Sequence, residues 1–165
     1  MAMSGGIDST MSALLLLEQG YELVGATYRT YDQIKESCLA REKGCCDVES
    51  IMEARENARK LGFEHHIVDF REDFKKYVID DFINEYMSGR TPNPCVLCNA
   101  HIKWGVLMDK ADELGCDFIA TGHYARIRKI DGHYSLANAA DTAKDQTYFL
   151  WRIDERHLAR TLFPL

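Results

Sequence analysis

A glycine-rich hexapeptide near the start of the chain, Ser4-Gly5-Gly6-Ile7-Asp8-Ser9, has residue types suited to binding a phosphate. Glycine lets a backbone turn tightly and approach a ligand closely. Residues 10–19 predict a helix that ends before Gly20. A loop that opens a helix presents unpaired N–H groups and the positive end of the helix dipole, which favour an anion. It is not a Walker loop, because no Gly-Lys-Ser/Thr follows. The alternative is an ordinary turn with an Asp or Ser N-cap.

A second segment that could do chemistry is the Cys-x-x-Cys pair Cys95 and Cys98, which follows Thr91-Pro92-Asn93-Pro94. The two prolines predict an ordered loop, and residues 98–114 predict a helix. A helix N-terminus lowers the pKa of a thiol and makes it a better nucleophile, so one interpretation is a catalytic thiol. The others are half of a zinc or iron–sulfur site, a redox pair, and two structural cysteines.

The other four cysteines predict no further site. A closed zinc site at the Cys-x-x-Cys pair needs two more ligands, and the adjacent Cys45 and Cys46 fit a tetrahedron poorly. With Cys38 they are expected to be surface thiols, and Cys116 precedes an expected buried strand and predicts a small core residue. Six cysteines in a chain expected to be cytoplasmic favour thiols, metal ligands or catalysts over disulfides.

Length, charge and hydropathy predict one soluble domain. The 165 residues suffice for a single core, and 46% hydrophobic and 28% charged residues are ordinary values. No apolar run approaches the roughly 20 residues of a membrane span, and no signal-peptide pattern precedes the glycine loop, so we expect a cytoplasmic protein without a membrane partner. A net charge of −6 argues against a broad basic face for nucleic acid but not against a local patch such as Arg126, Arg128 and Lys129.

Apolar runs alternate with amphipathic stretches, which predicts βαβ units. The predicted strands are residues 21–30, 65–70 and 117–121, and the predicted helices are residues 47–61, 72–87, 98–114, 145–151 and 154–162. Residues 124–129 and 133–137, joined across Asp131-Gly132, predict a small hairpin near the C-terminus. We therefore expect an α/β fold with a parallel sheet flanked by helices, and a ligand at the carboxyl ends of its strands.

Apolar spacing predicts the buried faces of two helices. In residues 47–61, with Asp47 as N-cap, the expected face is Ile51, Ala54, Ala58 and Leu61. In residues 72–87 it is Phe74, Tyr77, Val78, Phe82 and Tyr86. Trp104 and Phe149 are also expected in the core rather than as platforms for stacked bases.

The order of four motifs resembles one enzyme family. SGGIDS resembles the PP-loop of the ATP pyrophosphatases, which bind the pyrophosphate of ATP there and transfer AMP to a substrate. Followed by GRTPNPCVLCNAHIKW, ATGHYAR and KDQTYFL, it is similar to the tRNA-specific 2-thiouridylases over nearly the whole chain. The resemblance implies the adenine nucleotide alpha hydrolase-like fold of PP-loop ATPases.

The resemblance also implies roles for individual positions. The implied ATP-binding residues are Ala2, Met3, Ser4, Gly5, Gly6, Ile7, Asp8, Ser9, Tyr28 and Gly122. The implied tRNA-binding residues are Asn93, Pro94 and Cys95, which meet the target base, together with His123, Lys144, Asp145 and Gln146. Cys98 aligns with the first catalytic cysteine. Cys95, the second candidate catalytic residue, stands where many members carry an acidic residue with an acid/base role.

The implied reaction is ATP-dependent 2-thiolation of the wobble uridine of tRNA by a tRNA-uridine 2-sulfurtransferase. Transfer of AMP from ATP makes the C2 oxygen a good leaving group, while Ser4, Gly5 and Gly6 hold the released pyrophosphate. A persulfide then attacks C2. The implied cofactors are ATP and Mg²⁺, with Asp8 as a candidate magnesium ligand or helix cap. The implied partners are tRNA and a persulfide-donating sulfur carrier protein.

The sequence departs from the family beyond the fourth motif. The family's second catalytic cysteine lies downstream of KDQ-x-Y-F-L, and this sequence has no cysteine after Cys116. Only three residues precede the glycine loop, which predicts a very short first strand or a trimmed start. We expect residues 1–165 to be a single PP-loop adenylation domain, a fragment of a longer enzyme that also has a tRNA-binding domain and a C-terminal barrel.

Two other functions stay open. One is a different PP-loop ATP pyrophosphatase, which adenylates another substrate. The other is an RNA-modification module that holds zinc or an iron–sulfur cluster through Cys95 and Cys98.

Overall fold

The computed structural model describes residues 1–30 and 48–165, in which strands and helices alternate. The strands are β1 (Val24–Arg29), β2 (Glu64–Asp69), β3 (Ile119–Ala120), β4 (Arg126–Ile130), β5 (His133–Ala137) and β6 (Thr161–Leu162). The helices are α1 (Ile7–Glu18), α2 (Val48–Leu61), α3 (Arg71–Phe74), α4 (Asp80–Met87), α5 (Pro94–Leu97), α6 (Leu107–Glu113) and α7 (Glu155–Leu158). Two π-helical segments, Lys75–Ile79 and Cys98–Val106, join α3 to α4 and α5 to α6, and Thr147–Phe149 form a 3₁₀ turn.

Parallel strands form the centre of the fold. β1 pairs in parallel with β2, and β3 pairs in parallel with β6. Residues 1–3 link the two pairs, because the Met3 amide donates to the Ala26 carbonyl and the Ala2 amide donates to the Ala120 carbonyl, each at 2.8 Å. The order is therefore β2, β1, residues 1–3, β3 and β6. The predicted parallel sheet flanked by helices is confirmed, with residues 1–3 in its centre.

This strand order contains a topological switch point. From residues 1–3 the chain passes first to β1 and β2 on one side and later to β3 and β6 on the other. In such sheets the loops after the central strands diverge and leave a crevice at their carboxyl ends, where ligands bind. The glycine loop follows residues 1–3 directly, and the ATGH motif follows β3, so both lie at this crevice.

The helix that runs from α3 to α4 differs from the predicted amphipathic helix. Val78 is buried as predicted, but Phe82 and Tyr86 are 37% and 59% exposed. The π-helical segment Lys75–Ile79 explains the difference, because a π-turn holds more residues than an α-turn and rotates all later side chains about the helix axis. In α2, Ala54 and Ala58 are fully buried as predicted, whereas the predicted N-cap Asp47 lies outside the described residues.

The C-terminal region contains the predicted hairpin and a strand that the sequence did not predict. β4 and β5 are antiparallel, and Asp131 and Gly132 between them have φ angles of 52° and 88°, as a tight two-residue hairpin turn requires. The predicted helix 154–162 ends early, at α7, and Thr161–Leu162 instead pair with β3. β6 thereby completes the sheet.

Trp104 anchors the main core as predicted, since it is fully buried and its indole Nε1 donates to Thr161 Oγ1 at 2.7 Å. Ile102 and Leu150 are fully buried in the same cluster. Phe149, by contrast, is 36% exposed and does not belong to the core. None of the helices in residues 1–30 and 48–165 combines the length and the apolar character needed to cross a membrane.

Candidate functional site

A cleft opens at the switch point, where the glycine loop, the end of β1 and the turn after β3 meet. Its lining comprises Ala2, Met3, Ser4, Asp8, Ser9, Thr27, Tyr28, Lys103, Thr121, Gly122, His123 and Gln146. The sequence places these residues in five separate segments, and the sheet order brings them together. The cleft is the candidate functional site.

The glycine loop leaves the first amides of α1 without a side-chain cap. Gly6 occupies the N-cap position in an extended conformation and, as a glycine, provides no side-chain cap for the amides of the first turn. The Ser9 hydroxyl instead donates to the Gly6 carbonyl at 2.9 Å. Asp8 is not the cap either, because its carboxylate accepts from the Tyr124 hydroxyl at 3.1 Å. The first turn of this 12-residue helix contributes Asp8 and Ser9 to the lining of the cleft, so the positive end of the helix dipole lies beside the cleft, an arrangement that favours an anion.

Two glycines keep this loop in place. Gly5 has a φ of +80°, and a Cβ there would lie 2.4 Å from the Ser50 carbonyl oxygen. Gly122, after β3, lies directly against the start of α1, where a Cβ would be 2.9 Å from both the Asp8 carbonyl carbon and the Ser9 nitrogen. Side chains at either position would displace backbone, so both glycines are needed for close packing.

On the β3 side of the cleft, His123 lies within hydrogen-bond distance of two other polar residues, Thr121 and Lys103. His123 Nδ1 lies 2.7 Å from Thr121 Oγ1, and His123 Nε2 lies 3.2 Å from Lys103 Nζ. Burial, together with the neighbouring Lys103 ammonium, lowers the pKa of His123 from 6.5 to about 3. The imidazole is therefore neutral at physiological pH, and its ring packs against Trp104 and Phe163, which also contact each other.

The KDQ segment connects to the glycine loop through Tyr124. Lys144 Nζ lies 3.3 Å from the Tyr124 hydroxyl, which itself donates to Asp8. Gln146 Oε1 accepts from the Tyr124 amide at 3.0 Å, and the Gln146 amide donates to the Tyr124 carbonyl at 2.9 Å. Asp145 has different partners, since its carboxylate accepts a hydrogen bond from the Ala139 amide at 2.6 Å. That bond and two from Thr147 lower the pKa of Asp145, with the Thr147 hydroxyl as the largest cause.

The loop before the Cys-x-x-Cys pair, here called the cysteine loop, leads into the capped helix α5. Asn93 Oδ1 accepts from the Val96 amide at 3.3 Å, and Pro94 occupies the first turn of α5, a position that proline tolerates. The predicted loop therefore ends at Asn93. Cys95 is exposed and Cys98 is half-buried. In residues 1–30 and 48–165 no three Cys, His, Asp or Glu side chains are grouped to hold a metal ion, and Cys38, Cys45 and Cys46 lie outside these ranges.

The π-helical segment Cys98–Val106 connects the cysteine loop to the cleft. Cys98 begins the π-helical segment that contains Lys103, five residues later. Since hydrogen bonds in a π-helix run from residue i to residue i+5, residues five apart lie one above the other on the same face. Cys98 therefore shares its helix face with Lys103, which lines the cleft.

Comparison with known proteins agrees with the geometry of the cleft. A family model described as tRNA methyl transferase HUP domain matches residues 1–165. The chain belongs to this family. It is 55% identical over 164 residues to the tRNA-specific 2-thiouridylase MnmA of Amoebophilus asiaticus and 53% identical to that of Cytophaga hutchinsonii, with 99% of the chain aligned in each case. The chain spans less than half of these relatives, 44% and 45% of their lengths.

The tRNA methyl transferase HUP domain thus brings together many of the residues that the sequence singled out. Of the implied ATP-binding residues, the cleft is lined by Ala2, Met3, Ser4, Asp8, Ser9, Tyr28 and Gly122, whereas Gly5, Gly6 and Ile7 lie outside its lining. Of the implied tRNA-binding residues, His123 and Gln146 line the same cleft, while Asn93, Pro94, Cys95, Lys144 and Asp145 lie outside its lining. The PP-loop ATPase type of fold follows from this family.

Sequence reasoning missed three residues of the HUP-domain cleft, namely Thr27, Lys103 and Thr121. Thr27 donates to the Met3 carbonyl at 2.8 Å and so ties β1 to the start of the glycine loop. Lys103 was detectable, because it lies within the motif CNAHIKW that carries the resemblance. Thr121 likewise lies within the motif ATGHYAR, whereas Thr27 lies inside a predicted strand and in none of the four motifs, so it carries no signal of its own.

Proposed function

We propose that this chain is the ATP-activating domain of an enzyme that replaces the C2 oxygen of the tRNA wobble uridine with sulfur. The observation that carries the proposal is the convergence of Ser4, Asp8, Tyr28 and Gly122 on one cleft at the switch point of the sheet. The names of relatives more than half identical to the chain support the substrate and the reaction.

The cleft suits the phosphates of ATP. The amides at the start of α1 and the Ser4 hydroxyl are donors for the pyrophosphate, and Gly5 and Gly122 allow the backbone around them to pack closely enough to hold these donors in place. Asp8 offers one carboxylate at the edge of the cleft. This donor set fits Mg²⁺, which binds few protein carboxylates and takes its other oxygens from phosphates and water. Bound Mg²⁺ would neutralise phosphate charge as pyrophosphate leaves.

The activation step places AMP on the uridine. The C2 oxygen attacks the α-phosphorus, the bond from that phosphorus to the bridging oxygen breaks, and pyrophosphate departs into the glycine loop. The uridine N3 proton is lost in the same stage, so the adenylated base is neutral. AMP then leaves with the former C2 oxygen when a sulfur nucleophile attacks C2.

The sulfur step needs a persulfide and a thiolate. The terminal persulfide sulfur bonds to C2, and the Cys98 thiolate attacks the inner sulfur, which yields a disulfide and the 2-thio base. The half-buried position of Cys98, one π-turn from a cleft residue, supports this assignment. The persulfide cysteine belongs to a further part of the enzyme or to a sulfur carrier protein. The exposed Cys95 replaces the acid/base carboxylate and is the second thiol in reach of the base.

Exposed and half-buried residues around the cleft are the proposed contacts to tRNA. Lys144 is exposed beside Tyr124 and suits a phosphate. Asn93 and Pro94 would meet the target base next to Cys95. His123, Asp145 and Gln146 are held by internal hydrogen bonds, which suits residues that support the tRNA-facing backbone.

Calorimetric titration with Mg-ATP tests the assignment of the glycine loop. Gly5→Val combines a strained φ with a backbone clash, and Asp8→Ala removes the magnesium ligand, so each is expected to weaken binding at least about tenfold. Asp8→Asn, which keeps the shape, should bind ATP alone like the wild type but lose the gain from Mg²⁺. Asp109→Ala, with the same charge change at an exposed site on α6, is the control. Unchanged affinity in both Gly5→Val and Asp8→Ala would refute the assignment.

A further inference from the structure

The three polar residues on the β3 side of the cleft have no role in the activation and sulfur steps above. Lys103 comes from the π-helical segment, and Thr121 and His123 come from the turn after β3. All three line the cleft. Among the described residues of that lining, Lys103 carries the only permanent positive charge. A cation at this place faces a ligand site whose other charged side chain is the Asp8 carboxylate.

The chemistry of the three groups fixes the direction of their hydrogen bonds. An ammonium has only donors, so the 3.2 Å contact requires Lys103 to donate and His123 Nε2 to accept. The neutral imidazole then carries its proton on Nδ1 and donates it to Thr121 Oγ1 at 2.7 Å. Thr121, with its oxygen accepting from the imidazole, keeps its own hydroxyl proton for another acceptor.

This directed chain places two donor groups on one wall of the cleft, the Lys103 ammonium and the Thr121 hydroxyl. The ammonium has three N–H groups, so its bond to His123 is compatible with further acceptors. It bonds to the imidazole, which itself packs in a cluster of three rings with Trp104 and Phe163, whose centroids lie 5.8 and 6.2 Å from its own. A positioned cation and a hydroxyl donor together suit an anionic oxygen, because a held charge loses little freedom when the ligand binds.

We propose that Lys103, positioned by His123 and Thr121, binds a phosphate of the nucleotide, opposite the glycine loop. This rests on the proposed function, since it takes ATP as the ligand of the cleft. The glycine loop supplies neutral backbone donors, and Lys103 supplies the charge that these donors lack. Lys103 is thus a phosphate-binding residue, and His123 is a positioning residue that acts through it.

Calorimetry with ATP and adenosine tests the role of Lys103. Lys103→Met is expected to lower the affinity for ATP at least tenfold and to leave the affinity for adenosine within twofold of the wild type. Lys110→Met, on the same continuous helix but outside this cleft, is the matched control. Equal ATP affinity of wild type and Lys103→Met overturns the proposal. If the wild type itself fails to bind ATP, the proposed function fails instead, so the two failures are distinguishable.

Two further measurements keep the test decisive if Lys103→Met folds poorly. Lys103→Arg retains the charge and should recover most of the ATP affinity, whereas a variant as weak as Lys103→Met contradicts a charge contact. In wild-type protein labelled with ¹⁵N, the His123 ring should show the pattern of the Nδ1–H tautomer and should shift when ATP, but not adenosine, is added. An Nε2–H pattern overturns the assigned direction of the chain.

Discussion

Replacement of Gly122 by alanine isolates the contact between β3 and the glycine loop. Gly122 has no positive φ, so alanine introduces no backbone strain and acts through its methyl group alone. That carbon would lie 2.9 Å from the Asp8 carbonyl carbon and from the Ser9 nitrogen, and 3.1 Å from the Asp8 oxygen. All three atoms are backbone, and none can swing aside as a flexible side chain can.

The expected loss of stability follows from how far the start of α1 must move away from the added methyl group. Ordinary contacts of a Cβ begin near 3.4 Å, so the start of α1 has to retreat by about half an ångström. Overpacking of this kind costs about 1–3 kcal/mol, by which we expect the free energy of unfolding to fall. The amides at the start of α1, which must move, are the proposed pyrophosphate donors. A cost of about 1–3 kcal/mol in the free energy of ATP binding makes the affinity about 5- to 150-fold weaker.

The assays are urea denaturation and calorimetric ATP titration of Gly122→Ala and Gly105→Ala. Gly105 also lacks a positive φ, but its added methyl group would have its nearest neighbour at 3.6 Å, an ordinary contact in a helix that alanine favours. Gly105→Ala should therefore be neutral or slightly stabilising and should bind ATP like the wild type. If Gly122→Ala matches it in both assays, the inferred role of close packing is wrong.

Two further predictions concern the buried residues beside the cleft. Because the folded pKa of His123 is about 3 and the unfolded value is 6.5, only the unfolded chain takes up this proton between those pH values. The free energy of unfolding should therefore fall as the pH falls from 6.5 towards 3, by up to about 5 kcal/mol. In urea denaturation, His123→Gln should lose less stability over this pH range than the wild type. Equal pH dependence of the two proteins would contradict this. Trp104→Phe removes the hydrogen-bond donor to Thr161 and leaves a void, so the free energy of unfolding should drop by about 2–4 kcal/mol. A loss below about 1 kcal/mol would argue against that hydrogen bond.

Local chemistry made several features predictable from the sequence. The pair Asp131-Gly132 predicts a hairpin turn because both residues tolerate a positive φ, and the structure has both in that region. The glycine loop predicts a tight turn into a helix for a similar reason, and Gly5 has a φ of +80° just before α1. Each of these features is decided by a few adjacent residues, so no distant contact is needed to find it.

Features decided by distant contacts were not predictable. The expected burial of Phe82 and Tyr86 assumes a continuous α-helix, and nothing in the local sequence marks the π-helical segment before them. Thr161–Leu162 form a strand only because β3 offers an edge to pair with. Lys103 was detectable as a member of the motif CNAHIKW, but its place in the cleft depends on the π-helical segment that carries it and so follows from tertiary structure.

The central place of residues 1–3 has a consequence for the order of folding. On one side Met1 and Met3 exchange hydrogen bonds with Ala26 of β1, and on the other the Ala2 amide donates to the Ala120 carbonyl, which lies more than a hundred residues later in the chain. Contacts of such high sequence separation carry a large loop-closure cost and form slowly. β1 and β2 can pair early, but the sheet closes only when β3 arrives beside residues 1–3. The candidate ATP cleft straddles that seam, so we expect it to be among the last parts of the molecule to form.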